Sequence, residues 1–479
     1  MAQRVRQDAN TGPSTLTAIS PLDGRYWGRV NELSPYVSEM ALIRTRIEVE
    51  ARYLVALSGI GVVRPLSGQE RETLANLGTS LSEGQIERVK EIENTTRHDV
   101  KAMERAVREF VSRTSLEKVT EMIHFALTSE DVNNLSYRLM LKRAIAKVCV
   151  PALDNIVDAF AAMAKEYANV PMLARTHGQP AVPTTLGKEM VNIAVRLNAQ
   201  VRSLEEAEIT GKLTGAVGNL NAHRLAAPEV DWINFSSEFV KSLGLKPNMF
   251  TTQINPYDDM IAVFQAFQRV NGVILDADQD MWRYISDDWF KQQAKSGEVG
   301  SSTMPQKVNP IDFENSEGNL QVANSLLEGF GRKLAVSRLQ RDLSDSTTVR
   351  NVGVALAYGL LAYKNTLAGL GRVSANTDLI KERLNENWAI LTEGVQTILR
   401  REGTRDPYST VAALSRGQRI GPDDWREWLD GIPTEGQVQR RLREMTPESY
   451  TGYAERLVGM ALEEIARSRE RAADTSPMQ

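Results

Sequence analysis

Apolar residues recur at helical rather than strand spacing through most of this 479-residue sequence. In one stretch Met190, Ile193, Ala194, Leu197 and Val201 follow the period of an α-helix, which puts their side chains on one face. A chain with this pattern buries apolar surface by packing helices against one another. The spacing therefore predicts an all-α fold.

The longest stretches with this pattern predict long helices that form one central bundle. They cover residues 130–167, 184–209, 256–292, 311–340 and 347–371. In the third stretch, Met260, Val263, Phe264 and Phe267 occupy more than one side of the helix, so this helix needs neighbours on two sides. It is either an ordinary buried core helix or a helix that also packs against other subunits.

The length indicates more than one domain, because single hydrophobic cores stop growing at about 250 to 300 residues. We expect an N-terminal helical domain, the central long-helix domain and a small C-terminal helical domain. These domains cover residues 1–117, 118–371 and 372–479. In the first domain, a helix should begin near Pro35 with Ser34 as its N-cap and run to about Leu57 before Gly59 ends it.

Composition excludes several classes of protein. The chain has 57 Lys and Arg against 61 Asp and Glu, a net charge of −4, so we expect no nucleic-acid partner. Cys149 is the only cysteine, which excludes intrachain disulfides and suits a reducing cytosol. The longest nearly apolar run, Val352–Tyr363, is too short to span a bilayer, and the first residues lack an apolar segment of signal-peptide length. We expect a cytoplasmic protein with no membrane partner.

The sequence also gives no reason to expect a metal ion or a cofactor. The four histidines lack the spacing of a zinc-binding helix. Neither a P-loop nor a GxGxxG motif after a strand occurs, so nucleoside triphosphate chemistry and hydride transfer from a dinucleotide have no support.

One segment is too polar and too rich in glycine for the helices on either side of it. It reads GEVGSSTMPQKVNP at residues 297–310 and brings two serines, an ammonium group and an amide into one loop. Gly297 and Gly300 permit backbone conformations that other residues avoid, whereas Pro305 and Pro310 fix their own φ. Such a loop can surround an anion, although a solvated connection between helices can have the same composition.

A second polar segment, RTHGQP at residues 175–180, holds His177 between glycine and proline neighbours. It lies between a helix expected to end near Val170 and one expected to start near Thr184. A lone histidine in a loop is usually a surface residue. Its ordinary pKa near ~6.5 nevertheless suits general acid or base catalysis.

Two further polar segments read TTRHDVK at residues 95–101 and TSEDVNN at residues 128–134. The second predicts a helix N-terminus, with Ser129 as the cap and Glu130 and Asp131 at the positive end of the helix dipole. The exposed N–H groups of such a helix start can also bind a carboxylate or a phosphate. Capping and ligand binding therefore do not exclude each other.

Two of these segments resemble the signatures of the fumarase/aspartase superfamily, whose members eliminate fumarate from a succinyl group. They are RTHGQPAVPTTLGKE at residues 175–189 and GSSTMPQKVNP at residues 300–310. Two signatures in the expected order identify the chain as similar to that superfamily.

Four other segments resemble the adenylosuccinate lyase family in its longer bacterial form. They are SPLDGRY at residues 20–26, HDVKA at 98–102, HFALTSEDVNN at 124–134 and TTQINPYDD at 251–259. The resemblance extends from about Leu16 to Tyr453. Gln306 stands where this family often has a histidine, and in that respect the loop is similar to argininosuccinate lyase.

The resemblance implies a fold, an assembly and a reaction. The fold would be the all-α, three-domain fumarase/aspartase-like fold, whose long-helix bundle forms the core of a homotetramer with active sites shared between three subunits. The reaction would release fumarate from small succinylated purine nucleotides. These are adenylosuccinate, which gives AMP, and the succinylated aminoimidazole carboxamide ribotide of purine biosynthesis. No cofactor is implied.

The family also implies catalytic roles. Ser301 would be the general base and His177 the general acid for the departing nitrogen. Lys307 would stabilise the negative charge that accumulates as the proton leaves. His98 would assist on the leaving-group side, and Glu314 would orient His177.

Substrate contacts are implied at positions spread over most of the sequence. They are Arg25, Tyr26, Thr96, Arg97, His98, Thr128, Ser129, Gln253, Ser302, Lys307, Asn309, Asn315, Arg341, Ser346 and Arg350. Ser302 is also a second candidate for the base. From spacing alone, Arg341 and Arg350 are also typical of a charged helix end, and Glu314 of a solvated first helical turn.

Two other functions stay open at this point. One is another fumarate-releasing lyase of the superfamily, in the first place argininosuccinate lyase. The other is a catalytically silent helical scaffold. The presence of both Ser301 and His177 argues against the scaffold.

Overall fold

The computed structural model describes residues 14–294, 297, 303–415, 420–432 and 434–475. Most of these residues are in α-helices, which confirms the all-α prediction. In chain order the helices are α1 (Trp27–Val30), α2 (Ser34–Val37), α3 (Glu39–Gly59), α4 (Gly68–Leu77), α5 (Glu83–Thr96), α6 (Asp99–Val111), α7 (Ser129–Ala144), α8 (Val150–Glu166), α9 (Leu186–Glu205), α10 (Asn221–Ala226), α11 (Trp232–Ser242), α12 (Asp258–Ser286), α13 (Ile311–Leu334), α14 (Ser344–Val349), α15 (Val352–Leu370), α16 (Thr377–Asn385), α17 (Thr392–Arg401), α18 (Pro407–Ser415), α19 (Pro422–Asp430), α20 (Gly436–Glu444) and α21 (Ala454–Thr475).

The predicted long helices correspond to α7 with α8, α9, α12, α13 and α15. A π-helical turn at Ile145–Cys149 joins α7 to α8 without a break. This turn ends two residues before Pro151, which has no N–H for the regular helical ladder, so a local change of helical geometry is expected near it. The C-terminal ends of α9, α12 and α13 come earlier than the apolar spacing predicts.

The first predicted helix is interrupted. The chain forms the short α2 and then breaks at Ser38, whose φ of −79° and ψ of 168° are extended. The Ser38 side chain accepts a hydrogen bond from the Ala41 N–H at 3.2 Å and so caps α3. The expectation of one helix from Pro35 was therefore wrong, whereas its predicted end at Gly59 is confirmed.

A β-hairpin replaces the loop expected between the first two long helices. Strand β1 (Pro171–Thr176) pairs antiparallel with β2 (Gln179–Thr185). The other strands are short: β3 (Thr210–Gly211) pairs in parallel with β4 (Lys246–Pro247), and β5 (Phe290–Gln292) pairs antiparallel with β6 (Val373–Ala375). Because the chain enters β5 at Phe290, α12 cannot continue to residue 292 as its apolar spacing suggests.

The contacts between residues define two compact units, each built from separate parts of the chain. The first unit comprises residues 1–152, 203–271 and 319–362 and the second comprises 153–202, 272–318 and 363–479. In the first unit, α3 packs against α4, α6 and α7. The second unit contains an apolar cluster that includes Leu391, Val395 and Trp425. The division into 1–117, 118–371 and 372–479 stays a prediction.

Among the described residues, no helix is both long and apolar enough to cross a membrane.

The second unit buries a carboxyl group between three of its long helices. Asp278 of α12 is 1% exposed and accepts hydrogen bonds of 3.0 and 3.3 Å from the Thr366 hydroxyl of α15. That hydroxyl lies 2.8 Å from the Ser316 hydroxyl of α13. Burial raises the pKa of Asp278 to about 7, although the bonds from Ser316 and Thr366 oppose the increase. The neutral carboxyl is therefore the form that suits this site.

We predict that Asp278 makes the stability of the protein depend on pH. Its pKa is about 7 in the folded chain against an ordinary value of 3.8. Between these values the folded state binds more protons than the unfolded state, so stability falls as the pH rises towards 7 and then levels off. From pH 5 to pH 8, Asp278 should lower the free energy of unfolding by about 2 to 3 kcal/mol. Urea unfolding curves at several pH values measure this change.

Asp278→Asn should remove most of that dependence, because the amide stays neutral. Asp276→Asn on the same helix is the control, since Asp276 is 55% exposed and pairs with Arg196. It should keep the wild-type pH dependence. An equal pH dependence in wild type and Asp278→Asn would contradict the prediction.

Candidate active site

The start of α7 is fixed by one buried carboxylate. Asp131 Oδ2 accepts a hydrogen bond of 2.9 Å from the Thr128 N–H. Asp131 Oδ1 accepts bonds of 2.9 Å from Lys212 Nζ, 3.0 Å from the Thr214 N–H and 3.2 Å from the Gly215 N–H. Asp131 and Lys212 are both 0% exposed. The residue that precedes the helix is Thr128 rather than the predicted cap Ser129, which is the first residue of α7.

Arg341 and Ser346, both predicted substrate contacts, lie together beside this helix start. Arg341 Nη2 donates to Ser346 Oγ at 3.0 Å and is 3.0 Å from Glu130 Oε2. Glu130 directly follows Ser129 in α7. The first unit therefore brings Ser129, Arg341 and Ser346 into one neighbourhood.

The segment that carries Gln253 is tied to the same neighbourhood. The Thr252 hydroxyl donates to the Gln340 carbonyl at 2.9 Å, next to Arg341. Gln253 is half-buried. Gly218 has a φ of +88°, and a Cβ there would lie 2.1 Å from the Thr251 carbonyl oxygen, so only glycine allows the backbone to approach this segment so closely.

His98 caps helix α6. Its Nδ1 accepts a hydrogen bond of 3.2 Å from the Lys101 N–H, and its side chain is 53% exposed. The Thr96 hydroxyl donates to the His98 carbonyl at 3.2 Å. Arg97 ends α5 in the left-handed region with φ 53°. The predicted contacts Thr96, Arg97 and His98 thus form the connection between α5 and α6.

Asp99 links this connection to Arg350, another predicted contact. Asp99 Oδ2 accepts hydrogen bonds of 2.8 Å from Arg46 and 2.7 Å from Arg350. Arg350 also donates to Glu39 at 3.1 Å. Although burial raises the pKa of Asp99, the charge and hydrogen bond of Arg46, the bond from the Val100 N–H and the charge of Arg350 outweigh it and hold that pKa at about 2. Asp99 is therefore ionised at neutral pH and orients Arg350.

Arg25 and Tyr26 contact each other, with the Arg25 guanidinium 6.0 Å from the centre of the Tyr26 ring. Arg25 is exposed and Tyr26 is half-buried. Such a pair is a weak cation–π contact at an exposed site.

In the second unit, His177 lies at the tip of the β1–β2 hairpin. Thr176 pairs with Gln179, so His177 and Gly178 form a two-residue turn. Their φ values of 54° and 73° are those of a type I′ turn, in which the second position favours glycine. The turn presents the exposed imidazole at the end of a paired strand rather than on a loop, as the sequence suggested.

Four predicted site residues lie at the end of the signature loop and at the start of α13. The Lys307 N–H donates to the Met304 carbonyl at 3.1 Å, and the Lys307 side chain is exposed. Glu314 lies in the first turn of α13, where it accepts a bond of 3.1 Å from Trp282 Nε1. Asn309 is half-buried and Asn315 is exposed. The predicted bases Ser301 and Ser302 lie outside the described residues.

Glu314 and His177 form no hydrogen bond with each other in the described part of the second unit. The predicted orienting role of Glu314 therefore stays a prediction. The sequence did not predict the hydrogen bond from Trp282 to Glu314. A tryptophan in a long apolar helix does not indicate which polar group its N–H will bind.

Sequence reasoning also assigned no role to His124. Its Nδ1 lies 2.5 Å from Glu50 Oε1, its N–H donates to Glu50 Oε2 at 3.0 Å, and its φ is 64°. Burial lowers the pKa of His124, but Glu50 outweighs that effect and the pKa is raised. His124 lies four residues before Thr128, and this closeness to the TSEDVNN segment is the feature of the sequence that could have pointed to it.

The described residues contain no group of His, Cys, Asp or Glu side chains that could hold a metal ion. The first unit offers cations and hydrogen-bond donors at Arg341, Arg350 and the start of α7, together with the exposed imidazole of His98. The second unit separately offers the exposed imidazole of His177. Cations and donors of this kind can bind an anion, and an imidazole can transfer protons.

Two protein families match the chain. Residues 24–323 match a family described as "Lyase", and residues 337–451 match one described as "Adenylosuccinate lyase C-terminal".

Curated relatives match nearly the whole chain. The adenylosuccinate lyase of Haemophilus influenzae is 48% identical over 93% of this chain and 98% of its own. That of Escherichia coli K12 is 46% identical over 92% of this chain and 98% of its own. The adenylosuccinate lyase of Dictyostelium discoideum is 44% identical over 92% of this chain and 97% of its own.

Solved structures show the same fold at low sequence identity. The 3-carboxy-cis,cis-muconate lactonizing enzyme of Pseudomonas putida has a TM-score of 0.71 at 18% identity, covering 92% of this chain and 98% of its own. The fumarate lyase of Mesorhizobium sp. BNC1 has a TM-score of 0.71 at 16% identity, covering 90% of this chain and 97% of its own.

We predict that Lys212→Met lowers the free energy of unfolding by about 3 to 5 kcal/mol, because it leaves the buried Asp131 charge without its cation. Chemical denaturation at neutral pH measures this. Lys241→Met is a matched control, since Lys241 is 58% exposed and pairs with Glu238 at 2.8 Å. The control should change the free energy by less than about 1 kcal/mol. Small and equal changes in both variants would show that the Asp131–Lys212 pair does not support the fold.

Proposed function

We propose the reaction of this protein from the premise that the chain belongs to the adenylosuccinate lyase family. It is a carbon–nitrogen lyase that eliminates fumarate from adenylosuccinate and gives AMP. The observation that carries this conclusion is the identity of 48% over 93% of the chain to a curated adenylosuccinate lyase. The match of residues 337–451 to the adenylosuccinate lyase C-terminal family supports it at the other end of the chain.

A second substrate, the succinylated aminoimidazole carboxamide ribotide, is part of the proposal. Both substrates carry a succinyl group on nitrogen and a phosphorylated ribose, so the same groups can serve both. Breaking the C–N bond requires a base for the proton beside one carboxylate, stabilisation of the resulting negative charge and an acid for the leaving nitrogen.

We assign the base to Ser301, with Ser302 as the alternative, and the acid to His177. A serine hydroxyl is a poor base at neutral pH, so its alkoxide needs nearby donors such as loop N–H groups or the Lys307 ammonium. Lys307 and Asn309 would hold the carboxylate on which charge accumulates, and an ammonium there stabilises the transition state more than the substrate. His98 would assist at the leaving group, and Glu314 would orient His177.

The remaining assigned contacts serve the nucleotide. Arg341, Ser346 and Arg350 would bind phosphate and ribose, for which the planar fork of arginine is suited. Their proximity to Glu130 and Asp99 supports this proposal, because arginines already held in place lose less freedom on binding. The other contacts in the proposal are Arg25, Tyr26, Thr96, Arg97, Thr128, Ser129, Gln253 and Asn315.

We also propose a homotetramer in which loops from three subunits complete each active site. The exposure of His98, His177 and Lys307 in the single chain supports this, since proton transfer and charge stabilisation work best where water is excluded.

The reaction is tested by following the loss of adenylosuccinate absorbance with the purified protein. We expect turnover, with AMP and fumarate as products. Argininosuccinate is the control substrate and should not be cleaved. Release of arginine from argininosuccinate, without turnover of adenylosuccinate, would instead assign the chain to argininosuccinate lyase activity.

We predict that His177→Gln and Ser301→Ala each lower kcat by about 100-fold or more, because each removes a proton-transfer group. Steady-state kinetics measure kcat, and size-exclusion chromatography should show an unchanged assembly. Lys241→Met, the exposed control used above, should retain turnover. Near-normal kcat in either site variant would refute the role assigned to that residue.

We predict that activity depends on assembly. On serial dilution, specific activity should fall in step with the loss of the tetramer in analytical ultracentrifugation, because a dissociated chain lacks the loops of its partners. A monomer with full specific activity would refute the shared site.

A further inference from the structure

The carboxylate of Glu130 joins parts of the first unit that are far apart in sequence. Glu130 is 2% exposed, although glutamate is rarely buried unless it is paired. Its Oε2 lies 3.0 Å from Arg341 Nη2, which also donates to Ser346 Oγ at 3.0 Å. One guanidinium nitrogen therefore connects the start of α7 to the segment before and within α14.

A second buried carboxylate, that of Asp345, lies near the same nitrogen of Arg341. Asp345 Oδ1 is 3.9 Å from Arg341 Nη2 and accepts a bond of 2.7 Å from the Ser346 N–H. The Tyr257 hydroxyl donates to Asp345 Oδ2 at 3.2 Å, which ties in the segment that contains Gln253. Arg341 thus lies close to two acidic groups, Glu130 of α7 and Asp345 of α14.

Arg341 keeps a donor that these contacts do not use. Its Nε is buried and has no acceptor among the described residues. A buried donor without a partner is costly, and an anionic oxygen would satisfy it. The arrangement restricts the guanidinium, and its Nε is a donor that no acceptor among the described residues satisfies.

We propose that Glu130 is a positioning residue for nucleotide binding, which acts by fixing the Arg341 guanidinium between α7 and the Ser346 segment. This deepens the proposed function and rests on it, because it takes the ligand of Arg341 to be the phosphate or ribose of a purine nucleotide. An arginine side chain has many conformations, and holding it in the bound one lowers the entropy cost of binding. Glu130 should therefore act on affinity more than on the chemical step.

The simpler explanation is that Glu130 only stabilises the positive end of the α7 dipole. A helix dipole responds to charge near the first turn and not to a particular partner. Aspartate at position 130 keeps the charge but is one methylene shorter, so it cannot keep the 3.0 Å contact in place. Glu130→Asp therefore separates the two explanations.

The test compares the KM and kcat for adenylosuccinate and the Kd for AMP in wild type, Glu130→Gln and Glu130→Asp, all as full-length protein. We expect KM and Kd to rise about tenfold in both variants, with kcat within about threefold of wild type. Glu70→Gln is the matched control, since Glu70 is 5% exposed and pairs with Arg64 at 2.7 Å outside the proposed site. It should leave KM and Kd within about twofold, even where it lowers Tm.

A double-mutant cycle with Arg341→Gln tests whether Glu130 acts through Arg341. If it does, adding Glu130→Gln to Arg341→Gln should raise the Kd for AMP no further. An equal, additive increase in the double variant would overturn the proposal. So would a normal KM and Kd in Glu130→Asp, which would leave only the dipole role. Should Glu130→Gln fail to fold, Glu130→Asp and the cycle built on it decide the question.

The wild-type measurement separates this inference from the proposed function. A wild type that neither cleaves adenylosuccinate nor binds AMP would overturn the proposed function and this inference together. An active wild type with unchanged affinity in the Glu130 variants would overturn the inference alone.

Discussion

The Asp131 carboxylate receives hydrogen bonds from the Thr128 N–H, from Lys212 Nζ and from the backbone at Thr214 and Gly215. A buried charge is tolerated only when it is paired and its remaining lone pairs are satisfied, and here both conditions hold. The start of α7 is thereby fixed to the segment that follows β3. The positions of the predicted contacts Thr128 and Ser129 therefore depend on the Asp131 carboxylate.

Two arginines of the first unit, Arg341 and Arg350, are also each held by a carboxylate. Asp99 holds Arg350 and Glu130 holds Arg341, at 2.7 and 3.0 Å. Each carboxylate reduces the local positive charge, which weakens attraction at long range, but it also restricts the guanidinium. For a ligand that must be recognised at several points at once, restricted cations contribute more than mobile ones. The carboxylates of Asp99, which is half-buried, and Glu130, which is buried, are therefore compatible with an anion site.

Local sequence patterns predicted the long helices well, because helical periodicity depends on residues close together in the chain. They failed at Ser38, where one side chain caps a new helix, and at the hairpin around His177, where strand pairing needs a partner segment that periodicity does not reveal. Family resemblance supplied candidate residues such as Arg341, but its contact with Glu130 joins distant parts of the chain and is visible only in the fold. From the sequence, Glu130 is expected only to favour the positive end of the α7 dipole.

His177 projects from a type I′ turn, and Lys307 is exposed at the approach to α13. Water around an imidazole or an ammonium weakens its electrostatic interactions with other groups, because the dielectric constant of water is high. A serine base needs the opposite, namely oriented donors in a site from which water is excluded. The β1–β2 hairpin and the backbone before α13 support His177 and Lys307, but both side chains are exposed. In the proposed tetramer, assembly would supply the exclusion of water that such catalysis needs.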